Sequence, residues 1–395
     1  MSRSVDNAAA RTSGSILSPA LDFLLVGGLS LIVLVPMLLS GRTDLVIVSA
    51  GVQAWLAATI NMPHFMASYR LIYRSRTMIM RHKWASIYLP LILIAYIAVA
   101  LFEARTNPFL VIVLITVSSV YLAWHYTGQV WGMMASFAFL AGAGFDKTEK
   151  RLIRTSLRIL IAWHLTWFLY TQLRDPSTVR WLYFAVSGLT LIGFVLGAVG
   201  LVRMSKRTGK APPALTIVAW VAIFVWYAAM ARDPKALFWI QIFHALQYMA
   251  FPVRLEINRH VAAKATTAQG AADTTEPHGS RLILHMLLYG VVLLAVSLLL
   301  SRVLPASAMS VVGNMFGEEP GKAAPVLILM FINIHHYFTD GVMWKISNAE
   351  VRQDLFAHVK RPQSSVAKSP GEAPRQRNEE NRREGKQGRR KEATN

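Results

Sequence analysis

Residues 324–340 read APVLILMFINIHHYFTD, and this stretch decides the fold class. With its flanks it is an apolar run of about 20 residues, the length that crosses the hydrocarbon of a bilayer as a helix. Its centre carries two adjacent histidines, His335 and His336. Ionisable side chains are costly inside a membrane and mark functional sites by default. The stretch therefore predicts a membrane-spanning helix that carries a site.

The composition of the whole chain agrees with a membrane protein. Of its 395 residues 54% are hydrophobic and 16% charged, and the mean hydropathy is +0.39. The net charge of +20 is spread between apolar segments and over the C-terminal tail, so it predicts membrane topology and no nucleic-acid partner. Cysteine is absent, which excludes thiolate metal ligands, iron–sulfur clusters and cysteine nucleophiles.

Apolar segments of spanning length recur along the chain and predict an all-α, polytopic helix bundle with about ten transmembrane helices. The fourth segment is long for one crossing, so it is expected to tilt, to extend beyond the membrane, or to break near Gly128 and Gly132. A count of eight or nine follows if a weak segment fails. The predicted spans are 21–40, 45–68, 86–102, 109–142, 156–173, 182–202, 214–231, 236–253, 282–303 and 324–346.

Lysine and arginine concentrate in every second connection between these spans, which predicts that both termini face the cytoplasm. We expect a bacterial inner-membrane protein with three parts. Residues 1–20 form a cytoplasmic segment without a signal-peptide cleavage site, and residues 21–346 form the transmembrane domain. Residues 347–395 form a basic, disordered cytoplasmic tail that can touch anionic membrane lipid.

Seven of the eleven histidines fall within or at the edge of a predicted span. His125, His244, His335 and His336 lie near mid-span, where a purely structural bundle has little reason to place four imidazoles, and we interpret them as metal ligands. His64 follows Pro63, which can open a helix and aim a side chain inward, so a ligand and an interfacial residue are equally supported. The remaining two, His164 and His285, are expected to be packing residues that bond across helices.

Polar residues accompany three of the predicted ligands on the same helix face. Gln129 lies four residues after His125, Gln247 three after His244, and Asp340 four after His336. Metal-bound imidazoles usually donate their second N–H to such a group, so these three are predicted to orient the ligands. Three tyrosines next to the histidines are expected to border a substrate: Tyr126, Tyr248 and Tyr337.

The order of these motifs resembles the bacterial β-carotene-cleaving dioxygenases of the Brp/Blh type. The similarity rests on Pro63-His64, on Trp124-His125-Tyr126, on Phe243-His244 and on the late pair His335-His336. The resemblance implies a non-haem iron held by His64, His125, His244 and one of the late pair. It also implies oxidative cleavage of a carotenoid.

These observations together predict an integral membrane oxidoreductase with a histidine-ligated, non-haem iron that activates O₂ toward a lipophilic small molecule. Haem held by two histidines and copper are alternative cofactors, since the adjacent pair is similar to the copper-binding pair of haem-copper oxidases. A non-catalytic transporter or proton relay also places histidine and aspartate at mid-depth. The substrate, the nuclearity of the metal site and any protein partner stay open.

Overall fold

The computed structural model describes residues 14–173, 175–268, 278–344 and 349–359, and all regular structure in these ranges is helical. The chain separates into two units, Met1–His358 and Val359–Asn395. The first is a bundle of long helices, which confirms the predicted all-α fold class. Most of the predicted disordered tail, and the second unit beyond Val359, lie outside the described residues.

Ten long helices and two short ones make up the described part of the bundle, and each predicted span corresponds to one of the long helices. We number them α1 Pro19–Ser40, α2 50–72, α3 Arg76–Arg81, α4 Trp84–Glu103, α5 Phe109–Leu140, α6 Lys147–Gln172, α7 Ser177–Thr208, α8 Ala214–Arg232, α9 Ala236–Ala268, α10 Ser280–Phe316, α11 Glu318–Met343 and α12 Ala349–Leu355.

Eight of these helices are long and apolar enough to cross a membrane. The long helices α2 and α6 are not among them, so a count of ten crossings is not confirmed. The first turns of α6 are charged, and its remaining part includes Arg158, His164 and Gln172, so no stretch of spanning length is apolar enough.

Much apolar surface of the long helices faces outward. The most apolar window of α10 has a mean hydropathy of 2.5, yet only 17% of it is buried, and the corresponding share in α7 is 22%. Helices that are apolar on their outer face are unstable in water and are stable in lipid. The protein is therefore an integral membrane protein.

Helix α5 runs through the region where a break was considered. It spans 32 residues without interruption, so the expected break near Gly128 and Gly132 is wrong. At 1.5 Å per residue its length is about 48 Å, which exceeds the roughly 30 Å of bilayer hydrocarbon. The alternative prediction, a helix that tilts or extends beyond the membrane, remains.

The ninth predicted span, 282–303, is shorter than the helix that contains it. Instead of stopping near residue 303, α10 continues to Phe316 and turns at Gly317, which has a φ of 105°. Helix α11 then returns against it so closely that a Cβ on Gly321 would lie 2.8 Å from the Cα of Gly313. Two glycines at this contact thus permit a tight helical hairpin, which apolar periodicity does not reveal.

In three of the long helices a wide π-helical turn lies just before a proline. The turns Ala57–Asn61 in α2, Trp84–Tyr88 in α4 and Leu299–Val303 in α10 are each followed, two residues later, by a proline. A proline has no N–H to donate and its ring collides with the carbonyl four residues earlier. One extra residue in the preceding turn removes that conflict and re-aims the neighbouring side chains.

Candidate metal centre

Four histidines from four different helices meet inside the bundle. They are His64 on α2, His125 on α5, His244 on α9 and His336 on α11, and all four are buried. One ring nitrogen from each lies within 4.8 Å of the corresponding nitrogen of every other. We call this set the four-histidine group.

Local helix geometry explains how His64 enters the group. The π-turn of α2 ends at Asn61, and the helix resumes with Met62 and Pro63 directly before His64. Every residue from Met62 to Ser68 is buried, so the turn places this part of α2 in the interior of the bundle. The prediction that Pro63 aims His64 inward agrees with this placement.

The four rings pack edge to face around a common centre. The centroids of His64 and His336 lie 4.7 Å apart at 89°, and those of His125 and His244 lie 4.7 Å apart at 72°. Between His125 and His244 the two Nε2 atoms are 2.9 Å apart, a distance at which one neutral ring donates to the other. This contact directs ring nitrogens, not ring carbons, toward the middle of the group.

Several nitrogens of the group lack a hydrogen-bond partner. Among the described residues neither ring nitrogen of His64 or His336 makes a contact with hydrogen-bond geometry, and the same holds for Nδ1 of His244. Leaving a buried polar group unpaired costs about 1–3 kcal/mol, and native proteins seldom do so without a reason. Unpaired imidazole nitrogens that converge on one point fit a metal ion, which takes up their lone pairs.

The spacing of the nitrogens is close to that of a single ion. At the zinc–imidazole bond length of about 2.1 Å, two nitrogens on one ion are at most about 4.2 Å apart and about 3.0 Å apart at a right angle. The 2.9 Å between the Nε2 atoms of His125 and His244 matches the distance expected for two ligands at a right angle. The 4.8 Å limit of the group is slightly longer than the greatest distance between two ligands of one ion. The four nitrogens therefore lie close to the spacing that ligands of one ion require.

The fifth predicted ligand, His335, is separated from the group. Its Nε2 lies 3.0 Å from the carbonyl oxygen of Ala85 and 3.2 Å from the hydroxyl of Tyr73, and its ring stacks on Tyr69. Neighbours on a helix point about 100° apart, so only one of the pair His335 and His336 can face a given centre. The structure selects His336.

The histidines predicted to be packing residues also lie outside the group. His164 is buried beside Trp167 and Tyr227. Nε2 of His285 lies 2.9 Å from Oε1 of Glu256, and the same carboxylate forms an ion pair with Arg70.

Gln129 and Gln247 bind each other and the backbone, not the imidazole rings. The amide of Gln129 donates to Oε1 of Gln247 at 3.0 Å and to the carbonyl oxygen of His244 at 3.1 Å. Gln247 in turn donates to the carbonyl oxygen of Val26. The pair therefore fixes the backbone of α9 at His244 against α5 and α1, an indirect form of the predicted orienting role.

Asp340 faces two members of the group. Its Oδ2 lies 3.4 Å from Nε2 of His336 and 3.9 Å from Nε2 of His125. The other carboxylate oxygen accepts a hydrogen bond of 2.6 Å from Ser68. Asp340 is thus the predicted residue best placed to orient imidazoles directly.

Two residues that sequence reasoning missed support Asp340. The hydroxyl of Ser68 lies 2.5 Å from that of Tyr248, which accepts a hydrogen bond of 2.6 Å from the indole of Trp344. Ser68 follows His64 by four residues, so the spacing that drew attention to Gln129 and Asp340 applies to it equally. Trp344 follows Asp340 by four residues and so carries the same signal, although its hydrogen bond to Tyr248 on α9 depends on tertiary packing.

Two cavities reach the four-histidine group. The smaller, of about 370 Å³, is lined by His64, His125 and His244, and by the first halves of α2, α9 and α11. The larger, of about 940 Å³, contacts His125 and Asp340 and lies along the second halves of α5 and α11. Along α11 the smaller cavity is lined by residues between 329 and 337 and the larger by residues between 337 and 344, so the two spaces extend in opposite directions along this helix. Both volumes lie in the range of ligand pockets, roughly 300–1,000 Å³.

The fold and site define an integral membrane protein with a buried four-histidine cluster that is accessible from two cavities. Neither a family model, nor a curated protein, nor a solved structure matches the chain. The resemblance to carotene-cleaving dioxygenases therefore stays a prediction from short sequence motifs.

Proposed function

We propose that the protein is a membrane oxidoreductase that binds one non-haem iron through His64, His125, His244 and His336 and acts on a lipophilic substrate. The observation that carries the proposal is the convergence of four buried imidazoles, two of which, His64 and His336, make no hydrogen bond through either ring nitrogen among the described residues. An all-imidazole donor set suits iron, copper and zinc, and the absence of thiolate ligands removes the softer alternatives. When bound, iron supplies redox chemistry with dioxygen at coordination positions that the four ligands leave open.

The residues around the ion have separate tasks. The four imidazoles bind the metal, and a carboxylate oxygen of Asp340 lies 3.4 Å from Nε2 of His336 and 3.9 Å from Nε2 of His125, so Asp340 adds a carboxylate beside the ring nitrogens of the group. Ser68 and Tyr248 hold the carboxylate in place. Gln129 positions His244 through its backbone carbonyl. Such support matters because a displacement of about 1 Å in a metal site can remove its activity.

The geometry favours a bare ion over haem. A porphyrin separates its two axial ligands and fills the plane between them, whereas here four ring nitrogens occupy one small volume. Insertion of the macrocycle would require two of the four imidazoles to leave. Copper fits the donor set as well as iron does, so the choice of iron depends on the family resemblance.

The substrate is proposed to enter from the lipid or from the bundle end into a cavity with apolar walls. Tyr126 and Tyr337 line the smaller cavity, and Tyr248 and Tyr337 line the larger one, so the three predicted tyrosines border the two spaces. Walls of this kind exclude water and accept hydrophobic molecules.

Metal analysis and spectroscopy test this proposal. The detergent-purified chain is loaded with Fe²⁺ under anaerobic conditions, and its iron content and absorption spectrum are measured. O₂ uptake is then measured with lipophilic molecules extracted from membranes as substrates. We expect about one iron per chain, no Soret band, and substrate-dependent O₂ uptake that is lost in His125→Ala. A Soret band would move the assignment to haem. Failure to bind any metal, with the variant and the parent folding alike, contradicts the proposal.

One observation favours a second candidate function. His125 and Tyr337 line both cavities, so the group lies between two spaces that extend in opposite directions along α11. A proton relay needs such a placement of titratable groups. Proteoliposomes loaded with a pH-sensitive dye distinguish the two functions: a relay carries a metal-independent proton flux that His125→Ala abolishes, and an oxidoreductase does not.

A further inference from the structure

Arg302 is a charged residue within a membrane-spanning helix and has no role in the four-histidine group. It lies in the π-turn Leu299–Val303 of α10, inside the apolar segment Ser280–Phe316. Arg302 follows about 20 apolar residues, the length of one crossing, and its side chain is exposed. An arginine at such a position faces a partner, an aqueous cavity or the interface. The position of Arg302 therefore needs a physical explanation.

The described surroundings of Arg302 supply no counter-charge. Its guanidinium carbon lies 5.3 Å from the ring centre of Trp55, a cation–π contact. Every ion pair found among the described residues involves other side chains, as in the pair that Lys322 forms with Glu318. A guanidinium that stacks on an aromatic ring keeps its N–H groups available for an oxygen anion.

Arg302 lines the same small cavity as three of the four histidines. Two π-turns, one in α2 and one in α10, contribute to its wall, and Ala54, Ala57 and Ala58 keep the space open. Three amides, from Asn61, Gln241 and Asn333, provide further polar groups. π-Turns occur often at functional sites because they re-aim side chains.

We propose that Arg302 recognises an anionic oxygen group, a carboxylate or phosphate, on an amphiphile bound in the small cavity. The amides accept and donate the remaining hydrogen bonds of that group, and the adjoining apolar chain lies against the alanines. This inference rests on the proposed function for its substrate class, since it names the kind of lipophile that reaches the four-histidine group. The binding step itself involves no metal.

Binding of oleate to the full chain in zwitterionic lipid nanodiscs tests the proposal, with oleyl alcohol as the uncharged analogue. We expect Arg302→Gln to weaken oleate binding about tenfold, the size of one charge-assisted hydrogen bond, and Arg302→Lys to weaken it less. Oleyl alcohol should bind the parent and Arg302→Gln equally.

A matched control is Arg105→Gln. Arg105 makes the same kind of contact, 5.7 Å from the ring centre of Phe102, but it lines neither cavity. Oleate should bind this variant as it binds the parent. Equal oleate affinity in Arg302→Gln, Arg105→Gln and the parent would overturn the proposal, because Arg302 would then only reach toward lipid headgroups.

Two further arms identify the source of the anion and separate this inference from the proposed function. Nanodiscs that contain phosphatidylglycerol should displace oleate if a bilayer lipid supplies the headgroup, and should leave oleate binding unchanged if a free acid does; both outcomes support an anion site. The measurements are repeated in His336→Ala without metal. Arginine-dependent oleate binding there supports the anion site even if the parent binds no metal, a result that would reject only the proposed function.

Discussion

Two polar regions connect helices of the bundle, and they differ in how far their polar groups are paired. In the ion-pair region, formed by Arg70, Glu256 and His285, the carboxylate meets the guanidinium at 2.6 Å and the imidazole at 2.9 Å. In the four-histidine group, several ring nitrogens make no hydrogen bond to any residue that the structure describes. Both regions join α2 to α9, yet only one of them satisfies its own hydrogen-bonding capacity.

The difference separates structural polar residues from residues built for a ligand. A cluster that satisfies itself holds helices together and needs nothing else. A cluster that leaves acceptors unpaired is destabilising unless something binds there. The adjacent residues His335 and His336 show the same contrast within one turn of helix, because His335 is paired with backbone and His336 is not.

The largest expected effect comes from replacing each of these two histidines by alanine in turn. His336→Ala removes one of four ligands and should abolish stoichiometric metal binding, whereas His335→Ala should keep the metal and lose stability through the Ala85 contact. Elemental analysis and thermal unfolding in detergent measure both properties. Equal metal loss in the two variants would erase the distinction between the regions.

A smaller effect is expected at Asp340. Asp340→Asn keeps the shape of the side chain and removes the charge that faces His125 and His336, so metal affinity should fall about 10–100-fold. Competition with a chelator measures the affinity. Ser68→Ala, which removes the hydrogen bond to Asp340, should weaken binding by a smaller factor in the same assay. Unchanged affinity in Asp340→Asn would remove Asp340 from the centre.

The ion-pair region should respond in the opposite way. Glu256→Gln removes the charge that Arg70 and His285 share, at a site that is partly exposed, so the free energy of unfolding should fall by about 1–2 kcal/mol. Metal content should not change. Metal loss in this variant without a loss of stability would mean that the two regions are not independent.

The smallest effect concerns the start of α6, where Asp146 and Glu149 form a capping box. Hydrogen bonds from Arg207 lower the pKa of the Glu149 carboxyl below its ordinary value of 4.5. A carboxyl whose pKa is lower in the folded than in the unfolded state stabilises the fold at pH values above its unfolded pKa. This contribution is lost as the pH falls below about 4.5 and through the pKa of the folded state. The thermal midpoint of Glu149→Gln should therefore differ from that of the parent at pH 7 and converge with it at low pH. A constant difference would contradict the role of the charge.

The sequence predicts the helices well because apolar length dominates in a membrane. Each predicted span lies on a long helix, but the extension of α10 to Phe316 and the close contact of Gly313 with Gly321 depend on how two helices meet. Composition does not give the number of crossings, because α2 and α6 are long helices that are too polar to qualify as spanning helices.

The candidate site is predictable in part. The residue types and the three- or four-residue spacings single out His125, His244, the pair His335 and His336, and Asp340, because helical periodicity is local. The choice between His335 and His336 is not local: it depends on the rotation of α11 about its axis, which packing against α2 and α5 determines. The contribution of Trp344 depends on packing in the same way.

X-ray absorption of the iron-loaded protein decides whether the four-histidine group is a metal site. We predict one iron per chain whose first shell is dominated by imidazole nitrogens, with the outer-shell scattering of four histidine rings in the parent and loss of that signal in His336→Ala. A shell of oxygen donors with one imidazole or none, in a chain that folds normally, would contradict the claim that the four-histidine group is a metal site.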